Sequence, residues 1–142
     1  MLRSDEIRKR LHGRAPEETL PESAYNAPAN EAVDEALLAA ASAAAEGGHP
    51  LVIDATFLSL ALRSELRRRV TEAGSRFVGL WLEAPTCLLE KRIRNRRGDA
   101  SDATVAVLHR AESLNPGPGD WRPLPAREMA ETLTAARRIL GI

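Results

Sequence analysis

Asp54 has the setting that most invites chemistry. It ends the apolar run Leu51-Val52-Ile53 and is followed by Ala55, Thr56 and Phe57. Such a run predicts a strand over residues 51–55, buried on both faces. It surfaces at its C-terminal end with a carboxylate and a hydroxyl. In open α/β sheets, ligands sit just outside the C-terminal ends of the strands. Carboxylates seldom end buried strands unless they are paired or functional. Two other segments carry clustered charge: Ser4-Asp5-x-x-Arg8-Lys9, and Arg92-x-x-x-Arg96-Arg97 followed by Gly98-Asp99-Ala100-Ser101. Asp5 and Arg8, three apart on a helix, share a face.

Plainer readings compete for the same residues. Asp5 falls in a first helical turn, where an acid meets the helix dipole favourably, and the arginines of 92–97 fall in last turns, where cations do. Arg67, Arg68 and Arg69 read as solvated surface. His12, His49 and His109 show no metal-ligand spacing. Cys87 reads as packing, and Trp121 as a cover for the core or for a base.

The elements that must position these residues follow from the pattern. A helix is expected over 4–12, with Ser4 able to cap it and Gly13 stopping it. Residues 14–30 hold Pro16, Pro21 and Pro28 and read as a connection. Long Ala-rich helix 30–46 buries Val33, Leu37, Leu38 and Ala41, and Gly47-Gly48 end it. After the strand at 51–55 comes helix 59–73, with Leu62, Leu66 and Val70 inward and its arginines, Arg63 among them, mostly outside. A second buried strand is expected at 77–82. Helices follow at 86–97, capped by Thr86, from Ser101 or Asp102 to 113, and at 126–140. Alternating strands and helices imply parallel strands with right-handed crossovers. Only two strands are plain, fewer than a stable sheet needs.

Composition narrows the class. A chain of 142 residues makes one domain. Its 20 basic and 20 acidic residues cancel, which argues against a dedicated nucleic-acid binder. The single cysteine excludes an internal disulfide and fits a reducing cytoplasm. No apolar run approaches the roughly 20 residues that span a membrane, and none is of signal-peptide type.

In their order and spacing, the three charged segments resemble the P-loop kinase-like family, the ATP-dependent kinases of AAA-domain, polynucleotide-kinase and zeta-toxin type. The resemblance runs from residue 2 to about residue 125. It implies an α/β fold, a three-layer parallel sheet with flanking helices. It implies a phosphotransferase that phosphorylates a hydroxyl of a small molecule or a polynucleotide end, with ATP and Mg2+ as cofactors. By the same resemblance Asp5 is the general base toward the acceptor, and Arg8 its partner. Asp54 is the carboxylate on the metal side, with Thr56 beside it. Arg92, Arg96 and Arg97 belong to a lid-type helical region over 86–113 that neutralises phosphate. Phosphoryl transfer asks mainly for positioning and charge stabilisation, so aspartates and arginines are the parts it needs.

The sequence departs from the family in one respect. The loop Gly-x-x-x-x-Gly-Lys-[Ser/Thr], whose backbone N–H groups cradle phosphates, is absent from the 142 residues. The expectation is therefore a single partial domain, incomplete at its N-terminus and impaired in nucleotide binding. The alternative is a non-catalytic remnant that acts as a binding module, with a homodimer formed through the incomplete sheet edge. The family's last strand, expected after Trp121-Arg122-Pro123-Leu124, is hidden.

Overall fold

A computed structural model describes all 142 residues. It contains β1 (Leu2–Arg3), α1 (Ser4–Leu11), α2 (Ala27–Glu46), β2 (Ile53–Asp54), α3 (Leu60–Glu72) and β3 (Leu80–Glu83). Then come α4 (Thr86–Asn95), α5 (Val105–Ser113), β4 (Arg122–Pro125) and α6 (Met129–Leu140). The chain forms two compact units. One comprises Met1–Phe77 with Arg97–Asp102, the other Val78–Arg96 with Ala103–Ile142. No helix is long and apolar enough to cross a membrane.

The first unit is built on α2. Asn26 caps it, its side chain accepting from the Ala29 N–H at 2.9 Å, and Pro28 sits in its first turn. The helix therefore starts three residues before the expected Asn30. Val33, Leu37, Leu38, Ala41 and Ala45 form its buried face, against which α1 and α3 pack. Full burial of one such leucine is worth roughly 1.5–3 kcal/mol. Ser4 is the first residue of α1 rather than its cap; Arg3 holds the cap position, without a side-chain bond to the helix.

In this unit β1 pairs in parallel with β2, Leu2 opposite Ile53 and Arg3 opposite Asp54. The strand predicted at 51–55 is shorter and more open than expected. Val52 is 65% exposed, so the apolar run is covered on one side only. Beyond Asp54 the chain turns sharply, with Phe57 at φ 47°. A non-glycine residue rarely adopts that conformation. Arg63 holds it there: its Nε donates to the Phe57 carbonyl at 2.6 Å, and the side chain is 2% exposed. The expectation that Arg63 faces solvent is thus wrong. A turn whose carbonyl points inward needs a buried donor, and Arg63 supplies it.

In the second unit β3 pairs in parallel with β4. A strand that the sequence conceals is therefore present, at Arg122–Pro125 rather than after Leu124. Its prolines conceal it in the sequence but fit the pairing. Arg122 N–H bonds the Gly79 carbonyl at 3.0 Å and Ala126 N–H bonds that of Glu83 at 2.7 Å. Pro123 and Pro125 occupy the intervening outward positions, where a ladder donor is not needed. The strand pairs are two separate two-stranded sheets, not one continuous hydrogen-bonded sheet of the expected three-layer kind. Segments of two to four residues give each ladder few bonds to extend. Helix bounds also shift, and α6 starts at Met129 rather than at 126. Chain direction changes at Arg96, which is extended, so α4 stops at Asn95. Thr104 caps α5, its Oγ1 accepting from the Val107 N–H at 3.3 Å.

Trp121 covers the core of this unit and is buried. A Cβ added at Gly79 would lie 2.4 Å from the Trp121 ring. Gly79→Ala should therefore destabilise the chain by about 1–3 kcal/mol through overpacking. Urea unfolding followed by circular dichroism checks this; an unchanged midpoint would contradict the packing described.

Candidate functional site

The pairing of β1 with β2 sets Arg3 beside Asp54 at the C-terminal ends of two parallel strands. Arg3 Nε meets Asp54 Oδ2 at 3.2 Å, and its Nη2 meets Asp99 Oδ1 at 2.6 Å. A third carboxylate, Glu6, lies 3.5 Å from Nη1. The hydrogen bond to Asp99 holds the Arg3 guanidinium above even its ordinary high pKa, against the opposing effect of burial. Asp54 remains 61% exposed, so its pairing with Arg3 is worth about 0–1 kcal/mol. Its free face is open to a ligand.

Asp5 sits one residue into α1, half-buried. Burial raises its carboxyl pKa above the ordinary value. A hydrogen bond from Ser101 and the charges of Arg3 and Arg8 pull the other way, while the negative charge of Asp54 adds to the rise. The net direction is upward, toward the range where a carboxylate takes a proton effectively. Arg8 does not close an ion pair with Asp5. Its Nη1 donates to the Ala24 carbonyl at 2.9 Å, and its guanidinium lies 4.8 Å from the centre of the Tyr25 ring. From there it acts on Asp5 through charge alone, and likewise on half-buried Asp34.

Residues 99–102 close the first unit around this centre. Asp102 accepts two bonds from the Lys9 ammonium at 2.8 Å, one from Leu20 N–H at 3.0 Å and one from Tyr25 O–H at 2.6 Å. Lys9 is 1% exposed and also donates to the Glu18 carbonyl. Burial alone would raise the Asp102 carboxyl; the bonds from Lys9, Tyr25 and Leu20 outweigh it and hold it below the ordinary value. Tyr25 is pushed upward by burial and by Asp102.

Sequence reasoning missed most of this. Ser101 and Asp102 were expected to open a helix, because caps favour those residue types. They are instead spent on Asp5 and Lys9, in the first unit. Arg3 carried no sequence signal of its own, and Lys9 entered only as the end of the charged segment that opens at Ser4. Among the expected site residues, Asp5, Arg8, Asp54, Thr56 and Arg97 belong to the first unit, with Thr56 exposed two positions past Asp54. Arg92 and Arg96 belong to the second, where Arg92 donates to the Arg127 carbonyl. Arg96 and Arg97 lie beyond the end of α4, so the expected helical row of three arginines is not formed.

The model of the AAA domain family matches residues 1–115. The chain belongs to the AAA domain family. This is a P-loop NTPase-type family, and the match covers Asp5, Arg8, Asp54, Thr56, Arg92, Arg96 and Arg97 together with the 99–102 segment. Membership supports nucleotide binding as the general function. No curated protein and no solved structure matches the chain.

The fit of the cofactors of such AAA domains differs between metal and nucleotide. Magnesium keeps several waters and takes one or two carboxylates besides phosphate oxygens. Open Asp54 fits that demand. No group of three or more His, Cys, Asp or Glu forms an all-protein metal site. The triphosphate lacks its usual cradle, since no Gly-x-x-x-x-Gly-Lys-[Ser/Thr] loop stands in these 142 residues.

The Asp102 cluster makes stability depend on pH. Its folded value lies below the unfolded value of about 3.9, so its contribution is complete above that pH and is lost as pH falls through the folded value. Asp102→Asn leaves the Lys9 ammonium buried without its carboxylate, at a cost of about 3–5 kcal/mol at neutral pH. The difference from the parent should shrink as pH falls below about 3.9 and through the parent's lowered folded value. Urea unfolding at neutral and at acid pH checks this; an equal difference at both would contradict it.

Proposed function

We propose that the chain is the acceptor-side part of an ATP-dependent phosphotransferase, transferring phosphate to a hydroxyl of a small molecule or a polynucleotide end. The observation that carries the reading is the half-buried carboxyl of Asp5 beside the strand-end pair Arg3–Asp54, with the Asp5 pKa raised. The family's preference for ligands at parallel strand ends supports it.

Asp5 takes the proton from the acceptor hydroxyl as that oxygen approaches phosphorus. Proton transfer to a positioned base contributes about 10²–10⁴ in rate, and a raised pKa favours it. Arg3 keeps Asp54 turned toward the reacting end of the strands, where Asp54 would hold a hydrated magnesium ion. Arg8 supplies positive charge near Asp5 without pairing with it. Arg97 is the lid arginine carried by the first unit. Arg92 and Arg96 enter this reading on the family resemblance alone, as does the three-layer sheet. When bound, ATP with magnesium supplies the phosphoryl group and its leaving oxygen.

The test is phosphate transfer from γ-labelled ATP with Mg2+ to a panel of 5′-hydroxyl oligonucleotides and small polyols. It is run on this chain and on its reading frame continued upstream. Transfer is expected from the continued frame and should fall about 10²–10⁴-fold in Asp5→Asn. Absence of nucleotide binding by both proteins would overturn the reading in favour of a binding module.

A further inference from the structure

Residues 99–102 are bound to the β1–α1 segment at nearly every position. Asp99 reaches Arg3 at 2.6 Å, Ser101 hydrogen-bonds Asp5, and Asp102 reaches Lys9 at 2.8 Å. Between them the Ala100 side chain is buried at 4% exposure. The segment is also shaped internally, with Ser101 N–H donating to Asp99 Oδ1 at 3.3 Å. Its partners at positions 3, 5 and 9 lie roughly 90 or more residues away in the chain, so the contact cannot come from local propensity.

The three contacts differ in kind. Asp99 and Asp102 are ion pairs that fix the two ends of the segment. Asp102, partly buried, accepts bonds from Lys9, Leu20 and Tyr25. Between these anchors, the Ser101 side chain hydrogen-bonds the Asp5 carboxyl. A hydroxyl donor there occupies one lone pair of Asp5 and restricts the rotation of the carboxyl plane, leaving its other lone pairs to a ligand. We propose that residues 99–102 form a strap whose two ionic anchors hold Ser101 as a positioning residue for Asp5.

This rests on Asp5 as the acceptor-side base, so its test must read the contact without any transfer. Other groups face Asp5 as well: Arg3 from β1, Arg8 on α1, Asp54 from β2 and Tyr25 from the 3₁₀ turn at 22–25. None of them is altered by a change at Ser101. The experiment is a carboxyl-detected NMR titration of Asp5 in the full 142-residue chain, with circular dichroism to check the fold. In Ser101→Ala the Asp5 midpoint should move up, because a bond to the charged form is lost. Ser101→Thr, which keeps the hydroxyl, should restore it. Asp102→Asn should move the midpoint in the same direction as Ser101→Ala by loosening the anchor; if that variant does not fold, the serine pair decides. A folded Ser101→Ala chain with an unmoved midpoint overturns the proposal, whatever the transfer assay shows. A moved midpoint combined with transfer untouched by Asp5→Asn overturns the base reading and leaves the strap contact standing.

Discussion

The buried ion pair between Lys9 and Asp102 is the constraint on which the first unit depends. It joins the end of α1 to a segment 93 residues further along. A lone lysine at 1% exposure would cost several kcal/mol, since a charge taken out of water is stable only when paired and hydrogen-bonded. Here each side is satisfied: Lys9 by Asp102 and the Glu18 carbonyl, Asp102 by Lys9, Leu20 and Tyr25. The pair contributes no more to net stability than an apolar pair of equal volume. Its consequence is geometric. Residues 18–25, which hold little regular structure, are fixed by the same carboxylate that fixes the strap.

From that anchor the candidate site follows. With Asp102 fixed, Ser101 falls on Asp5 and Asp99 on Arg3, and Arg3 is already tied to Asp54 by the strand register. Two carboxylates at neighbouring strand ends are thus held differently. Asp54 is open and paired. Asp5 is half-buried and shifted upward. Burial that raises a carboxyl's pKa is one device that acid–base chemistry uses. Membership in the AAA domain family gives this arrangement a setting in nucleotide chemistry.

The helices were readable because their apolar positions repeat at helical spacing, as in Val33, Leu37, Leu38 and Ala41. The start of α2 was obscured by Pro28, which reads as a breaker but sits well in a first turn. Strand β4 was obscured by Pro123 and Pro125, which are harmless on an outward edge. Asp5, Asp54 and Arg8 were singled out by residue type and order, and the fold brings all three into the first unit. The strap was not, because serine and aspartate serve equally as helix caps and as long-range partners, and local sequence cannot separate these uses. Arg63 was misread for a related reason: a charged residue on a helix is usually outside, and only the left-handed turn at Phe57 explains why this one is buried.

The central claim is that Asp5 is kept as a half-buried carboxylate at a cost to the fold. A carboxyl whose folded pKa is raised destabilises the native state as pH rises through that value. Asparagine has a similar shape and no charge. The direct measurement is the urea unfolding free energy of Asp5→Asn and of the parent chain from acid to neutral pH. The account predicts that the variant gains on the parent as pH rises and is the more stable of the two at neutral pH. A variant less stable than the parent at neutral pH would contradict it, and would make Asp5 an ordinary first-turn partner of the α1 dipole.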